Sequence, residues 1–144
     1  MTTTFSVTTS RRIELVDITA RVCEFVRKAK ADSGLCVIYV PHTTAAVTIN
    51  EHVDPSVAAD INSLLTRLVP GGAGYRHTEG NADAHAKATL IGASQTVPVA
   101  GGAPLLGPWQ GIFFCEFDGP RQRKVVVKVI RDPGSDLSPD DRQS

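Results

Sequence analysis

Residues 111–130 read GIFFCEFDGPRQRKVVVKVI, two apolar runs separated by Asp118-Gly119-Pro120-Arg121. Val, Ile and Phe fit a pleated, half-buried surface better than a helix, and an Asp-Gly-Pro cluster is turn chemistry. The stretch therefore predicts two strands, residues 111–117 and 124–130, joined as a hairpin. One carboxylate, Glu116, interrupts the first run. It points outward if the sheet has one solvated face, and lines a cleft if it does not.

Working outward from this hairpin, residues 95–99 form another candidate strand, which Pro98 confines to an edge because it cannot donate to a ladder. Residues 82–91 read as a short helix of small residues that Gly92 closes. Asp54-Pro55 opens a longer helix, with Asp as cap and Pro at the first position. Its apolar stripe is Val57, Ile61, Leu64, Leu65 and Leu68, and Pro70-Gly71-Gly72 stops it. Residues 35–40 and 44–50 are β-rich runs meeting at Pro41-His42. Another helix starts at Asp17 and gathers Ile18, Val22, Phe25, Val26 and Ala29 on one face. Residues 2–15 are extended. The whole is an α+β chain in which residues 1–131 make one domain, while polar, Pro- and Asp-containing residues 132–144 are expected to be a disordered tail.

Composition narrows the function classes. A chain of 144 residues has room for one domain, and none of its apolar runs approaches the ~20 residues needed to span a bilayer. The N-terminus lacks the basic flank and apolar core of a signal peptide, so a cytoplasmic protein is expected. Fifteen Lys and Arg balance fifteen Asp and Glu. No overall field draws the protein to nucleic acid or an anionic membrane, and any anion site must be local. Cys23, Cys36 and Cys115 cannot all pair and form no Cys-x-x-Cys unit, so they read as buried thiols.

Among polar residues, His42, His77 and His85 stand at a strand junction, in a glycine-flanked loop and in the small-residue helix. If they converge, three imidazoles with one open position suit a catalytic zinc or a similar ion; otherwise they are three unconnected histidines. His52, beside Glu51 and Asp54, reads as a surface residue. The carboxylates Glu51, Glu79, Asp83, Glu116 and Asp118 are able to orient imidazoles, hold magnesium or move protons, although most carboxylates simply face water. Neither glycine cluster, 71–74 or 101–107, has a phosphate-loop or dinucleotide-binding ending. Arg121, Arg123 and Lys124 put positive charge at a turn, where guanidinium groups grip a phosphate or, more blandly, guard a sheet edge.

Taken together, Pro41-His42-Thr43-Thr44-Ala45 with Thr48-Ile49-Asn50-Glu51, His77 through His85, and Trp109-Gln110-Gly111-Ile112 through Arg121 resemble the YjbQ family, also called the secondary thiamine-phosphate synthase family. The resemblance runs from about Phe5 to Arg131. It implies a β-sandwich flanked by helices and a homotrimer. It implies coupling of a pyrimidine pyrophosphate to a thiazole phosphate, with a small phosphorylated metabolite as partner. Implied catalytic groups are His42, Glu116 and Lys87; implied substrate contacts are Glu51, Trp109, Gln110, Asp118, Arg121 and Arg123. Implied cofactors are a divalent metal, zinc or similar at His42, His77 and His85, or magnesium carried with pyrophosphate. Ala86 and Pro108 depart from the family pattern beside the histidine and the tryptophan. A non-catalytic module that binds a phosphorylated metabolite or metal is the alternative, and a purely structural polar set at subunit interfaces is a third reading.

Overall fold

Two burial patterns explain the architecture. In the strand Gln122–Arg131 burial alternates, with Arg123, Val125, Val127 and Val129 inward. In the strand Gln110–Glu116 every residue after Gln110 is buried. The first needs cover on one face and the second on both. The computed structural model, which describes residues 1–76 and 80–134, meets both demands with two antiparallel sheets.

Among the described residues the chain order is β1 (Thr2–Thr8), β2 (Glu14–Asp17), α1 (Thr19–Lys28), β3 (Ser33–Tyr39), β4 (Ala45–Glu51), α2 (Pro55–Leu68), α3 (Ala82–Ile91), β5 (Ser94–Ala100), β6 (Ala103–Pro104), β7 (Gln110–Glu116) and β8 (Gln122–Arg131). The larger sheet is ordered β1-β8-β3-β5-β6 and the smaller β2-β7-β4. One core, containing Val22, Val26, Cys36, Ile38, Val47, Ile112, Phe114 and Val127, lies between the two sheets and α1. A second core, with Ala46, Leu65, Ala84, Phe113, Cys115 and Phe117, lies where α2 and α3 cover the other face of the small sheet. The α+β sandwich flanked by helices is therefore present, and no helix among the described residues is long and apolar enough to cross a membrane.

The terminal hairpin is not. β7 pairs with β2 and β4, whereas β8 pairs with β1 and β3. Asp118-Gly119-Pro120-Arg121 is a crossing between sheets. Side by side in one sheet, β7 and β8 would share their cover, and β7, apolar on both faces, needs the large sheet on one side and helices on the other. Gly119 permits the tight crossing: a Cβ there would sit 2.1 Å from the Arg11 carbonyl oxygen. β3 and β4 meet at the connection that carries His42, as expected, and lie in different sheets.

Helix ends follow the sequence closely. Asp54 Oδ1 accepts from the Ser56 backbone N–H at 2.9 Å, and Pro55 is the first helical residue. The start of α1 differs: its N-cap is Ile18, with no side-chain capping bond, and Asp17, the last residue of β2, accepts from the Thr19 N–H from one position further out; Gly92 caps α3. Pro98 is near an edge as expected, because only the two-residue β6 lies beyond β5. The α2 stripe is only partly covered: Leu65 is buried, but Leu64 and Leu68 are 49% and 65% exposed. Val125, Val127 and Val129 are fully covered by the single chain, so they offer no face to a second subunit. Leu35, Tyr39 and Ile130, on the opposite face of the large sheet, are 43%, 47% and 48% exposed. Cys36 and Cys115 are buried thiols, pushed up to about 11 and about 12 by burial. Of the expected disordered tail, residues 135–144 lie outside the described residues.

Candidate functional site

Three connections cross from the large sheet to the small one at the same end of the sandwich: residues 9–13, 40–44 and 117–121. Glu116, the last residue of β7, binds them together. Its Oε1 accepts from the Thr9 hydroxyl at 2.7 Å and from Arg123 Nε at 2.9 Å, while Oε2 accepts from Arg123 Nη2 and from the Asp118 backbone N–H. Arg123 Nη2 also donates to Thr44 Oγ1 at 2.8 Å. Glu116 is 0% exposed and Arg123 5%. Both carboxylate oxygens are spent, so Glu116 fixes Arg123 and does not itself reach the surface.

Above this pair lies an open cleft of about 590 Å³, lined among others by His42, Asn81, His85, Asp118, Arg121 and Arg123. Asp118 Oδ2 accepts from Asn81 Nδ2 at 2.9 Å and from Arg121 Nη2 at 3.0 Å. Burial works against its ionisation, but these two donors outweigh burial and hold the carboxyl below the usual range. Arg121 Nε is tied to the Asp118 carbonyl. The Nη1 groups of Arg121 and Arg123 have no hydrogen-bond partner among the described residues. Asn81 Oδ1 is buried and likewise unpartnered there. His42 Nε2 accepts from the Lys124 backbone N–H at 2.9 Å, and burial, reinforced by the Arg123 charge, pushes its imidazole below the ordinary value.

Behind the cleft, α3 is anchored by a buried charge cluster. Arg12 donates to both oxygens of Asp83, at 3.1 and 3.0 Å, and Lys87 Nζ donates to Oδ2 at 3.2 Å. Asp83 and Lys87 are each 1% exposed, so Lys87 is not among the residues lining the cleft. Burial disfavours the Asp83 carboxylate, but Arg12 and Lys87 more than offset this and lower its pKa. A carboxyl lowered on folding adds stability above its unfolded value of about 3.9, and that stability is lost as pH falls through the lower folded value. Unfolding free energy measured in urea is therefore expected to hold from about pH 7 to about pH 5 and to fall below about pH 4. Asp83→Asn is expected to flatten that acid limb, and an unchanged limb would assign it to other carboxylates.

The structure brings His42, His85, Asp118, Arg121 and Arg123 to one cleft and places the other expected contacts elsewhere. His77 lies outside the described residues. Glu51 pairs with Gln110 across β4 and β7, at the end opposite the Ala45–Glu116 pair. Six residues of strand separate the two pairs, about 20 Å at strand rise. Trp109 is 61% exposed at that far end, and Gln110 Oε1 accepts from the Gly107 N–H. His52, expected on the surface, is half-buried and 2.8 Å from Asp17 Oδ2. Its ring fills the space a Cβ on Gly111 would need, 2.3 Å from such an atom. Thr9 and Arg12 are polar members of the site that the sequence did not mark, and Thr44 stood there only as part of a motif, with no role. No group of three His, Cys, Asp or Glu among the described residues is arranged to hold a metal ion. A neutral imidazole has one lone pair, and that of His42 is engaged by Lys124.

The family profile described as UPF0047 protein, YjbQ-like, matches residues 3–132. A UPF0047 protein of Methanocaldococcus jannaschii is 52% identical, over 89% of this chain and 93% of its own length. The UPF0047 protein YugU of Bacillus subtilis is 45% identical, over 90% and 99%. A crystal structure of a YjbQ/UPF0047 protein from Clostridium acetobutylicum superposes with a TM-score of 0.87 at 46% identity, covering 89% of this chain and 99% of that one. A YbjQ-like protein from Sulfolobus solfataricus gives 0.89 at 36% identity, covering 92% and 97%. Sequence and fold agree over nearly all of the described chain, which belongs to the UPF0047 (YjbQ-like) protein family.

Proposed function

We propose that the cleft binds a small phosphorylated metabolite and that its chemistry is a thiamine-phosphate-synthase-type transfer. The observation that carries this reading is the pair Arg121 and Arg123, each fixed by a carboxylate through its guanidinium and with an Nη1 that has no hydrogen-bond partner among the described residues, at the same cleft. Planar guanidinium groups held this way match phosphate oxygens. In the transfer, the bond between the pyrimidine methylene carbon and the pyrophosphate oxygen breaks, and the thiazole nitrogen bonds to that carbon. Charge develops on the departing pyrophosphate, so the step calls for cations more than for a proton acceptor. That demand suits a cleft where Glu116 is occupied and Lys87 is paired behind the wall. Magnesium, if it arrives with the pyrophosphate, would add positive charge at the leaving group.

The test is turnover of both precursors by purified protein with magnesium, read as thiamine phosphate by its oxidised fluorescent product. Turnover is expected in the wild type and not in His42→Ala/Arg121→Ala. Saturable pyrophosphate binding without turnover would favour the binding-module alternative, for which the specific observation is that no unengaged carboxylate lines the cleft among the described residues.

The homotrimer belongs with this proposal. Its support is the uncovered apolar set Leu35, Tyr39 and Ile130 on the outer face of the large sheet, which Tyr39 shares with the cleft wall. Native mass spectrometry is expected to show a dominant trimer. A dominant monomer at micromolar concentration would remove the idea.

A further inference from the structure

A backbone N–H only donates, so the 2.9 Å contact from Lys124 to His42 Nε2 requires an unprotonated Nε2 carrying the ring's lone pair. The proton then sits on Nδ1. Coordination through Nε2 would displace Lys124 N–H. Coordination through Nδ1 would move the proton to Nε2, where it would face that same N–H. Both ring nitrogens are thus closed to a metal while the His42–Lys124 bond stands. The bond is well supported: Lys124 follows Arg123, which Glu116 and Thr44 hold in the buried floor, and His42 precedes Thr43 and Thr44 on the neighbouring crossing.

We propose that His42 meets the ligand as a hydrogen-bond donor through Nδ1–H, and that the cleft grips a phosphate or diphosphate oxyanion directly, without a metal ion held by His42. This rests on the reading of the cleft as a phosphate-ester site. The donor inventory agrees with it. Arg121 Nη1 and Arg123 Nη1 are unpartnered among the described residues, and His42 Nδ1–H adds a third donor in the same lining. The two carboxylates that would repel an oxyanion are both neutralised, Glu116 by Arg123 and Asp118 by Arg121. An imidazole N–H and two guanidinium groups in one lining recognise an anion with several oxygens, and the lone pair a metal would need is turned to the backbone.

The probe is inorganic pyrophosphate, added to full-length protein labelled with nitrogen-15 at histidine and observed by long-range proton–nitrogen correlation at neutral pH. The His42 signals are assigned by their loss in His42→Asn. The expected result is a protonated Nδ1 and an unprotonated Nε2 on His42, a shift of Nδ1 on adding metal-free pyrophosphate, and no change on adding equimolar zinc. By calorimetry, His42→Ala is expected to weaken pyrophosphate binding about tenfold or more, as loss of a hydrogen bond to a charged group does. His42→Asn, whose amide nitrogen takes the place of Nδ1, should restore most of it. If zinc shifts the His42 nitrogens in a one-to-one complex, or if pyrophosphate binds while Nδ1 stays unmoved, the donor role is wrong and the phosphate-site reading survives. If pyrophosphate does not bind the wild type at all, with or without magnesium, both fall together.

Discussion

Glu116→Ala is expected to lower the unfolding free energy by about 3–5 kcal/mol, the cost of leaving one partner of a buried ion pair uncompensated. Arg123 is 5% exposed and would keep Thr44 as its only side-chain hydrogen-bond partner among the described residues. The Asp118 N–H would lose its carboxylate acceptor and the Thr9 hydroxyl would keep only the Arg121 carbonyl, so Glu116 would no longer tie the crossings to Arg123. For a domain whose total stability is about 5–15 kcal/mol, this is a large share. Urea unfolding gives the value, provided the slope with denaturant is unchanged. A double variant, Glu116→Ala/Arg123→Met, separates the causes, because it removes the stranded charge. It should recover part of the loss, as buried pairs replaced by apolar groups commonly do. A loss below about 1 kcal/mol in Glu116→Ala, the scale of an exposed ion pair, would show that the pair is not buried as described. Pyrophosphate binding should weaken in both variants, since each leaves Arg123 misplaced or absent.

This pair also shows where sequence reading stops. The strands at 111–117 and 124–130 are visible in composition, and the polar turn between them is visible in Asp118-Gly119-Pro120. What composition does not state is whether the two runs lie side by side. A partial signal was present: residues 112–117 are apolar except for Glu116, whereas in residues 124–129 Lys124 and Lys128 fall on one face and Val125, Val127 and Val129 on the other, the difference between a strand covered on both faces and one covered on a single face. Read as a hairpin, the stretch makes Glu116 a surface or cleft carboxylate. Read as a crossing, it makes Glu116 the buried end of β7.

Local chemistry was more informative than long-range pairing. Asp54-Pro55 and Gly92 set helix ends because capping is a matter of adjacent residues. The α2 stripe was legible as an apolar face, but its partial cover depends on how little of the small sheet remains beside it. His42, Asp118, Arg121 and Arg123 were legible as chemistry-bearing residues, and they converge because the crossings 40–44 and 117–121 run next to each other. Thr9 lies 107 residues from Glu116, and Arg12 lies 71 from Asp83. Nothing in a threonine or arginine of an ordinary loop announces such a partner. Trp109 and Gln110 entered through motif resemblance alone and Glu51 as a carboxylate near the histidines in sequence, neither of which carries a distance, and within one chain they stand at the far end of the small sheet. His52 was passed over because Asp17, which orients it, is 35 residues away.

Arg121→Ala carries the other large expected effect, a fall in kcat for thiamine phosphate formation of about 10²-fold or more, the usual loss for an electrostatic contact made in the transition state. KM should rise less than kcat falls. The reason lies in the timing of charge: in the proposed reaction the ground-state pyrophosphate ester would already be held by Arg123 and its neighbours, while the charge added on C–O cleavage is what a second guanidinium would stabilise most. Arg121 suits this test better than Arg123. Its side chain is 53% exposed and its ion pair with Asp118 is at the surface, so removing it should change stability by no more than about 1 kcal/mol. A fall in turnover can then be read as chemistry and not as unfolding. If KM rises while kcat holds, Arg121 binds substrate and transition state equally, and the oxyanion clamp assists capture alone. Residual activity equal in the wild type and in His42→Ala/Arg121→Ala would mean that a host enzyme carried through purification makes the product. The cleft would then be a phosphate-binding site with no turnover of these precursors, a reading in which the fixed guanidinium pair and the donor face of His42 keep their places and only the bond-breaking step is withdrawn.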